Sequence, residues 1–229
     1  HFEGEALNSN DGVLNGVRDA AQRASILKPV TSVEGSAIGE RRSEFDIVMG
    51  VTTEEEPAGT TPVVSTRSGV VNAAGFNSGA APGAWITIHG FRLSSTTRTW
   101  GSADIVGGRL PTELDGVSVT INGKNAFVYY ISPMQINVLA PADTLSGSAS
   151  VVVTNANGTS AATTVTLQAA LPAFFRYNLG YAAATTPAGG YVGPTGLIEG
   201  ATTTPAKPLE TIVLWGTGFG PTSPDVTPG

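Results

Sequence analysis

Val117-Ser118-Val119-Thr120-Ile121-Asn122-Gly123, followed closely by an apolar run at residues 126–131, decides the fold class. The first five residues alternate apolar and hydroxyl side chains, the period of a strand with one buried face. Asn-Gly then supplies the two positions that a type I′ hairpin turn needs at positive φ. Working outward, residues 85–88, 135–139, 149–154 and 163–167 are further short runs rich in Val, Ile and Thr. Asn155-Ala156-Asn157-Gly158 joins the last two as a second turn. Six or seven strands within roughly 100 residues predict an immunoglobulin-like β-sandwich over residues 68–170.

The composition agrees with a mainly β protein. Hydrophobic residues make up 41% of the 229, charged residues only 13%, and Gly (29) with Pro (15) approaches one residue in five, a mixture suited to many strands and turns. No apolar run approaches the roughly 18 to 20 residues that cross a bilayer, so no membrane insertion is expected. No Lys/Arg cluster exceeds the pair Arg41-Arg42, which argues against nucleic acid as a partner. With no Cys there are no disulfides and no thiolate chemistry.

Charge divides the chain. Residues 1–57 carry 11 of the 18 acidic and 5 of the 12 basic side chains, which places a boundary near Pro57. This N-terminal segment contains the one helical pattern: Val13, Val17, Ala20, Ala24 and Leu27 fall on one face, Asn10 or Asp11 caps it and Pro29 stops it. Short strands are expected at 31–33 and 45–51. Residues 58–67, after Glu54-Glu55-Glu56-Pro57, read as a solvated linker.

Aligning the chain with itself at an offset of 126 lays Pro82 to Gly90 over Pro208 to Gly216. Pro, Ile and Gly coincide, the apolar pattern agrees, and Phe91-Arg92-Leu93 faces Thr217-Gly218-Phe219. Residues 208–229 therefore read as the first strand of a second, truncated immunoglobulin-like module, and 171–207 as a linking hairpin. With only one strand of the second copy in the chain, Ile212, Leu214, Trp215 and Phe219 are the candidate assembly residues. An unpaired strand invites strand addition by a neighbour.

Four ordered motifs carry a resemblance. Gly69-Val70-Val71-Asn72-Ala73-Ala74-Gly75-Phe76, Ala81-Pro82-Gly83 leading to Ile88-His89-Gly90, Leu110 to Val119, and Tyr130-Ile131-Ser132-Pro133-Met134-Gln135-Ile136-Asn137-Val138 resemble the Solibacter-type C-terminal repeat family. Its members are related to IPT/TIG sandwiches and sit in large exported proteins of acidobacteria. The resemblance covers about residues 68–229 and implies an extracellular or cell-surface location, with no catalytic or binding residues. It also implies a hairpin at 181–200 and a second module opening with Gly216-Thr217-Gly218-Phe219-Gly220-Pro221. The start at His1 rather than Met fits a trimmed product of an exported precursor.

Side-chain chemistry points the same way. A hydrolytic triad needs a base, and only His1 and His89 are present; His89 aligns with Trp215, so its position calls for bulk rather than imidazole. The carboxylates of the β region, such as Asp115 and Asp143, suit turns. No catalytic, cofactor or metal site is expected. The leading expectation is a non-enzymatic structural module, a subunit of an extracellular filament or array built by strand addition, with homo-oligomers or other subunits as partners. The alternatives are an adhesin module binding protein or glycan, with Trp100 as the stacking residue, and an accessory domain of a larger secreted enzyme.

Overall fold

The computed structural model describes residues 54–142, 147–177 and 180–221, nearly all within one compact unit, Glu56–Gly229. The helix expected at residues 10–28, the strands expected at 31–33 and 45–51, and Asp143 lie outside the described residues.

Twelve strands build the sandwich. The first six are β1 (Val63–Val64), β2 (Val70–Asn72), β3 (Trp85–Phe91), β4 (Arg98–Thr99), β5 (Glu113–Leu114) and β6 (Val117–Ile121). Then come β7 (Lys124–Asn125), β8 (Phe127–Ile131), β9 (Gln135–Leu139), β10 (Gly147–Asn155), β11 (Gly158–Thr159) and β12 (Thr163–Leu167). One sheet runs β1-β3-β9-β8-β4, with β2 beside β3; the other runs β11-β10-β6-β5, with β12 on β10 and β7 on β6. Taking β1 and β2 as strand A, β3 as B, β6 as C, β8 as D, β9 as E, β10 as F and β12 as G, the sheets are ABED and CFG. That is the constant-type immunoglobulin arrangement.

Local sequence explains the elements. Val117, Val119 and Ile121 point inward while Ser118 and Thr120 do not, the alternation seen in the sequence. Asn122 (φ 50°) and Gly123 (φ 76°) form the turn between β6 and β7, and Asp115 (φ 47°) with Gly116 (φ 77°) turns β5 into β6. Ile86 and Ile88 of B, Ile136 and Val138 of E, and Val151 and Val153 of F are fully buried with them. This single apolar core joins the two sheets, each large side chain contributing roughly 1.5–3 kcal/mol by burial.

The stretch before β1 is more tightly held than a solvated linker. Arg92 donates to Glu56 Oε1 (2.7 Å) and to the carbonyls of Pro57 (2.8 Å) and Thr61 (3.1 Å). One guanidinium with five donors in a fork satisfies three acceptors, so residues 56–61 lie against the end of β3.

After the sandwich come β13 (Ala173–Phe174), β14 (Ala184–Thr185), β15 (Tyr191–Val192), β16 (Thr203–Thr204), β17 (Val213–Leu214) and β18 (Gly216–Thr217). β13 pairs with β18, and the order β16-β15-β14-β17 makes a small sheet. No helix among the described residues is long and apolar enough to cross a membrane.

Candidate functional site

The C-terminal segment repeats one corner of the sandwich, bond for bond. In the sandwich the backbone N–H of Ser65 donates to the His89 carbonyl (2.9 Å), and the N–H of His89 donates to Gly69 (2.8 Å). In the C-terminal segment Phe175 donates to Trp215 (3.0 Å), and Trp215 donates to Ala183 (2.9 Å). The side registers match as well. Val64 opposes Gly90 as Phe174 opposes Gly216, and Val70 opposes Ile88 as Ala184 opposes Leu214. Even the kink after the strand recurs: Arg92 has φ 55° and Gly218, its aligned residue, φ 78°. β13, β14 and the β17–β18 segment thus reproduce the two halves of strand A and strand B.

This corrects the expectation of an unpaired strand from Thr211 to Phe219. Along one edge its backbone is paired, because the segment read only as a linking hairpin contains the A-type strands that partner it. Along the other edge, where β3 receives β9 from Trp85 to His89, the described residues give β17 no partner.

The repeated backbone carries side chains in the opposite environment. Ile86, Ile88 and Leu93 are 0% exposed, whereas the aligned Ile212, Leu214 and Phe219 are 38%, 46% and 58% exposed. Val213 and Trp215 on the other face are also exposed. Trp215 is anchored by its indole N–H to Thr185 Oγ1 (3.1 Å), and Phe219 leans on Phe174, ring centres 5.5 Å apart. Ile212, Leu214 and Phe219 are thus all uncovered at this corner, and Trp215 is exposed on its opposite face.

Trp100, the predicted stacking residue, has a different setting. It packs against the edge of the main core and joins Trp85 and Tyr129, with ring centres 5.9 Å and 4.9 Å away; Trp85 and Tyr129 are 5.6 Å apart. The rings meet at 58–75°, the edge-to-face preference of aromatic quadrupoles. Tyr129 occupies this place through a β-bulge: Val128 opposes Val138, Tyr130 opposes Asn137, and Tyr129 between them has no partner. Ile131 thereby returns to the core while both tyrosines stay out of it. The three rings, with Ala73, Asn137 and Phe175, line a cleft of about 250 Å³. The sequence singles out Trp100 but not its ring partners; the in-out-out-in run Val128-Tyr129-Tyr130-Ile131 is the available sign of the bulge.

A charge clamp fixes the loop that carries Trp100. Arg98 grips Asp104 with two nitrogens (2.8 and 3.0 Å) and Asp115 with Nε (2.9 Å). Asp104 also accepts from the Gly101 N–H (2.7 Å) and Asp115 from Thr96 Oγ1 (2.7 Å). Hydrogen bonds from Arg98, then from Gly101, hold the Asp104 carboxyl down at about 2. Arg98 and Thr96 lower Asp115 in the same way, and the two carboxylates raise Arg98. Asp115 thus does more than form a turn.

His89 lies with Nδ1 3.3 Å from the Ser68 carbonyl, beside the strand A connection. Among the described residues no group of three or more His, Asp or Glu side chains has the spacing of a metal site.

Residues 76–168 match the IPT/TIG domain. The IPT/TIG match spans strands B to G and ends one residue past β12, in agreement with the immunoglobulin-like fold of the sandwich. No curated protein matches the chain. Among the solved structures that share parts of it are two from bacteria. One is the γ-CGTase of alkalophilic Bacillus clarkii, at 21% identity over 52% of this chain and 14% of that one, with a TM-score of 0.33. The other is an auxiliary nutrient binding protein from Bacteroides ovatus, at 14% identity over 58% of this chain and 24% of that one, with a TM-score of 0.27. The chain thus spans less than a quarter of the length of either.

Proposed function

We propose that this chain is a non-enzymatic structural module of an exported cell-surface or extracellular protein, of the Solibacter type that its four motifs resemble. Its C-terminal corner is the assembly element. It takes an antiparallel strand from a neighbouring subunit along the free edge of residues 211–215, and repetition of that contact builds a filament or array. One observation carries the reading: a register-for-register copy of the A–B corner presents Ile212, Leu214 and Phe219 to solvent where the first copy buries their equivalents. A free strand edge with an apolar face is the template for strand addition.

Concentration-dependent light scattering and electron microscopy test this. The wild-type chain is expected to associate, and Leu214→Asp with Ile212→Asp to abolish association while the sandwich melts at an unchanged temperature. A wild-type chain that stays monomeric at every concentration, or a double variant that assembles as before, overturns the assembly reading.

A further inference from the structure

We infer that the cleft between Trp85, Trp100, Tyr129 and Phe175 binds one pyranose ring of a neutral glycan, a function separate from assembly. The cleft is a cavity of about 250 Å³, just below the ~300 Å³ at which ordinary small-molecule pockets begin, which suits a single ring. The cleft opens to solvent between partly exposed rings, Tyr129 being 37% exposed, so a ligand can reach it. Its position is also that of a binding site. Trp85 and Asn137 come from the outer face of the ABED sheet and Phe175 directly follows β13 of the second corner, and clefts at such junctions are favoured ligand sites.

The lining determines the ligand chemistry. No charged side chain contributes to it, so neither an anion nor a cation is selected. Aromatic faces offer apolar area to the C–H face of a sugar, and the polar groups at hand are donors suited to hydroxyls. Asn137 Oδ1 accepts from Thr87 Oγ1 (3.1 Å) and Gln135 Nε2 (2.9 Å), which orients the amide and leaves its Nδ2 as the group available to a ligand. Two devices hold the site without a ligand: the bulge that sets Tyr129 outward and the Arg98–Asp104 clamp around Trp100. Bulges that re-aim one side chain are characteristic of functional sites.

The test uses the full chain carrying Trp215→Phe, so that fluorescence comes only from Trp85 and Trp100, the other two tryptophans of three. Maltohexaose, cellohexaose, xylohexaose and mannohexaose are titrated separately. The expected result is a saturable change with at least one of them, lost in Tyr129→Ala and weakened at least about tenfold in Asn137→Ala, a substitution that leaves every ring in place. The proposal is overturned if none of the four sugars gives a saturable change, if the response is unaltered in both variants, or if only a proline-rich peptide produces it. The Trp215 side chain does not line the cleft, and the Phe175–Trp215 bond is between backbone groups that Trp215→Phe retains, so failure here leaves the assembly reading standing.

Discussion

The backbone N–H of Trp85 donates to Oγ1 of Thr217, 2.8 Å away and 132 residues later in the chain. Trp85 opens strand B of the sandwich, and Thr217 closes its repeat. Nearby, Asn72 Nδ2 donates to the Leu171 carbonyl (2.8 Å) and the Leu171 N–H to Gly218 (2.8 Å). The repeated corner is therefore hydrogen-bonded to the outer face of the module it copies, which places the two modules in a defined relation.

Thr217→Val keeps the shape of a buried side chain and removes its acceptor. Leaving the Trp85 N–H unpaired is expected to cost about 1–3 kcal/mol. Hydrogen exchange should show the loss as faster exchange of the amides of residues 171–218, with strands E and F unchanged.

Ile88 and Leu214 are aligned residues in opposite environments, so the same truncation should separate them. Ile88→Ala is expected to cost about 2–5 kcal/mol in urea unfolding. Leu214→Ala is expected to stay within about 0.5 kcal/mol in the monomer and to show its effect only in association.

Gly90 leaves no room for a Cβ, which would overlap the Val63 carbonyl oxygen; a Cβ on Gly216 would stand 2.8 Å from the Ala173 oxygen. Both glycines admit the A-type strand that crosses them. Gly90→Ala is expected to destabilise the sandwich by about 1–3 kcal/mol through forced backbone shifts, measured by thermal unfolding. Gly216→Ala should release β13 from β18 and leave the sandwich melting transition in place.

The Arg98 clamp makes the Trp100 loop acid-sensitive. Asp104 titrates at about 2 in the folded chain against 3.8 ordinarily, so its contribution to stability is complete above the unfolded value and disappears as pH falls through the folded one. NMR titration of the Asp104 carboxyl should find the depressed midpoint, and Arg98→Ala should raise it part of the way to the ordinary value, since the Gly101 N–H bond remains. Tryptophan emission is expected to shift over the same acid range in the wild type and not in the variant.

Much of the sandwich was legible because its signals are local. The alternation in Val117 to Ile121 and the Asn122-Gly123 and Asp115-Gly116 turns depend on a few adjacent residues, and β6, β9 and β12 appear with the bounds their patterns suggest. The repeat was also legible, through Pro, Ile and Gly at an offset of 126. Its other half was not. β13 and β14 are two residues each, too short for any period, and are strands only because Gly216 and Leu214 lie opposite them.

The candidate sites divide in the same way. Sequence alone determined which residues of the second copy carry the apolar pattern of strand B, since the aligned positions repeat within one chain. It could not determine their exposure, which depends on whether a second sheet covers them. Nor could it assemble the aromatic cleft: Trp85, Trp100, Tyr129 and Phe175 come from four separate segments, and one extra residue between Val128 and Tyr130 decides where the tyrosine ring goes. A strand pattern is written in neighbouring side chains, whereas a cleft is made by backbone pairing across the fold.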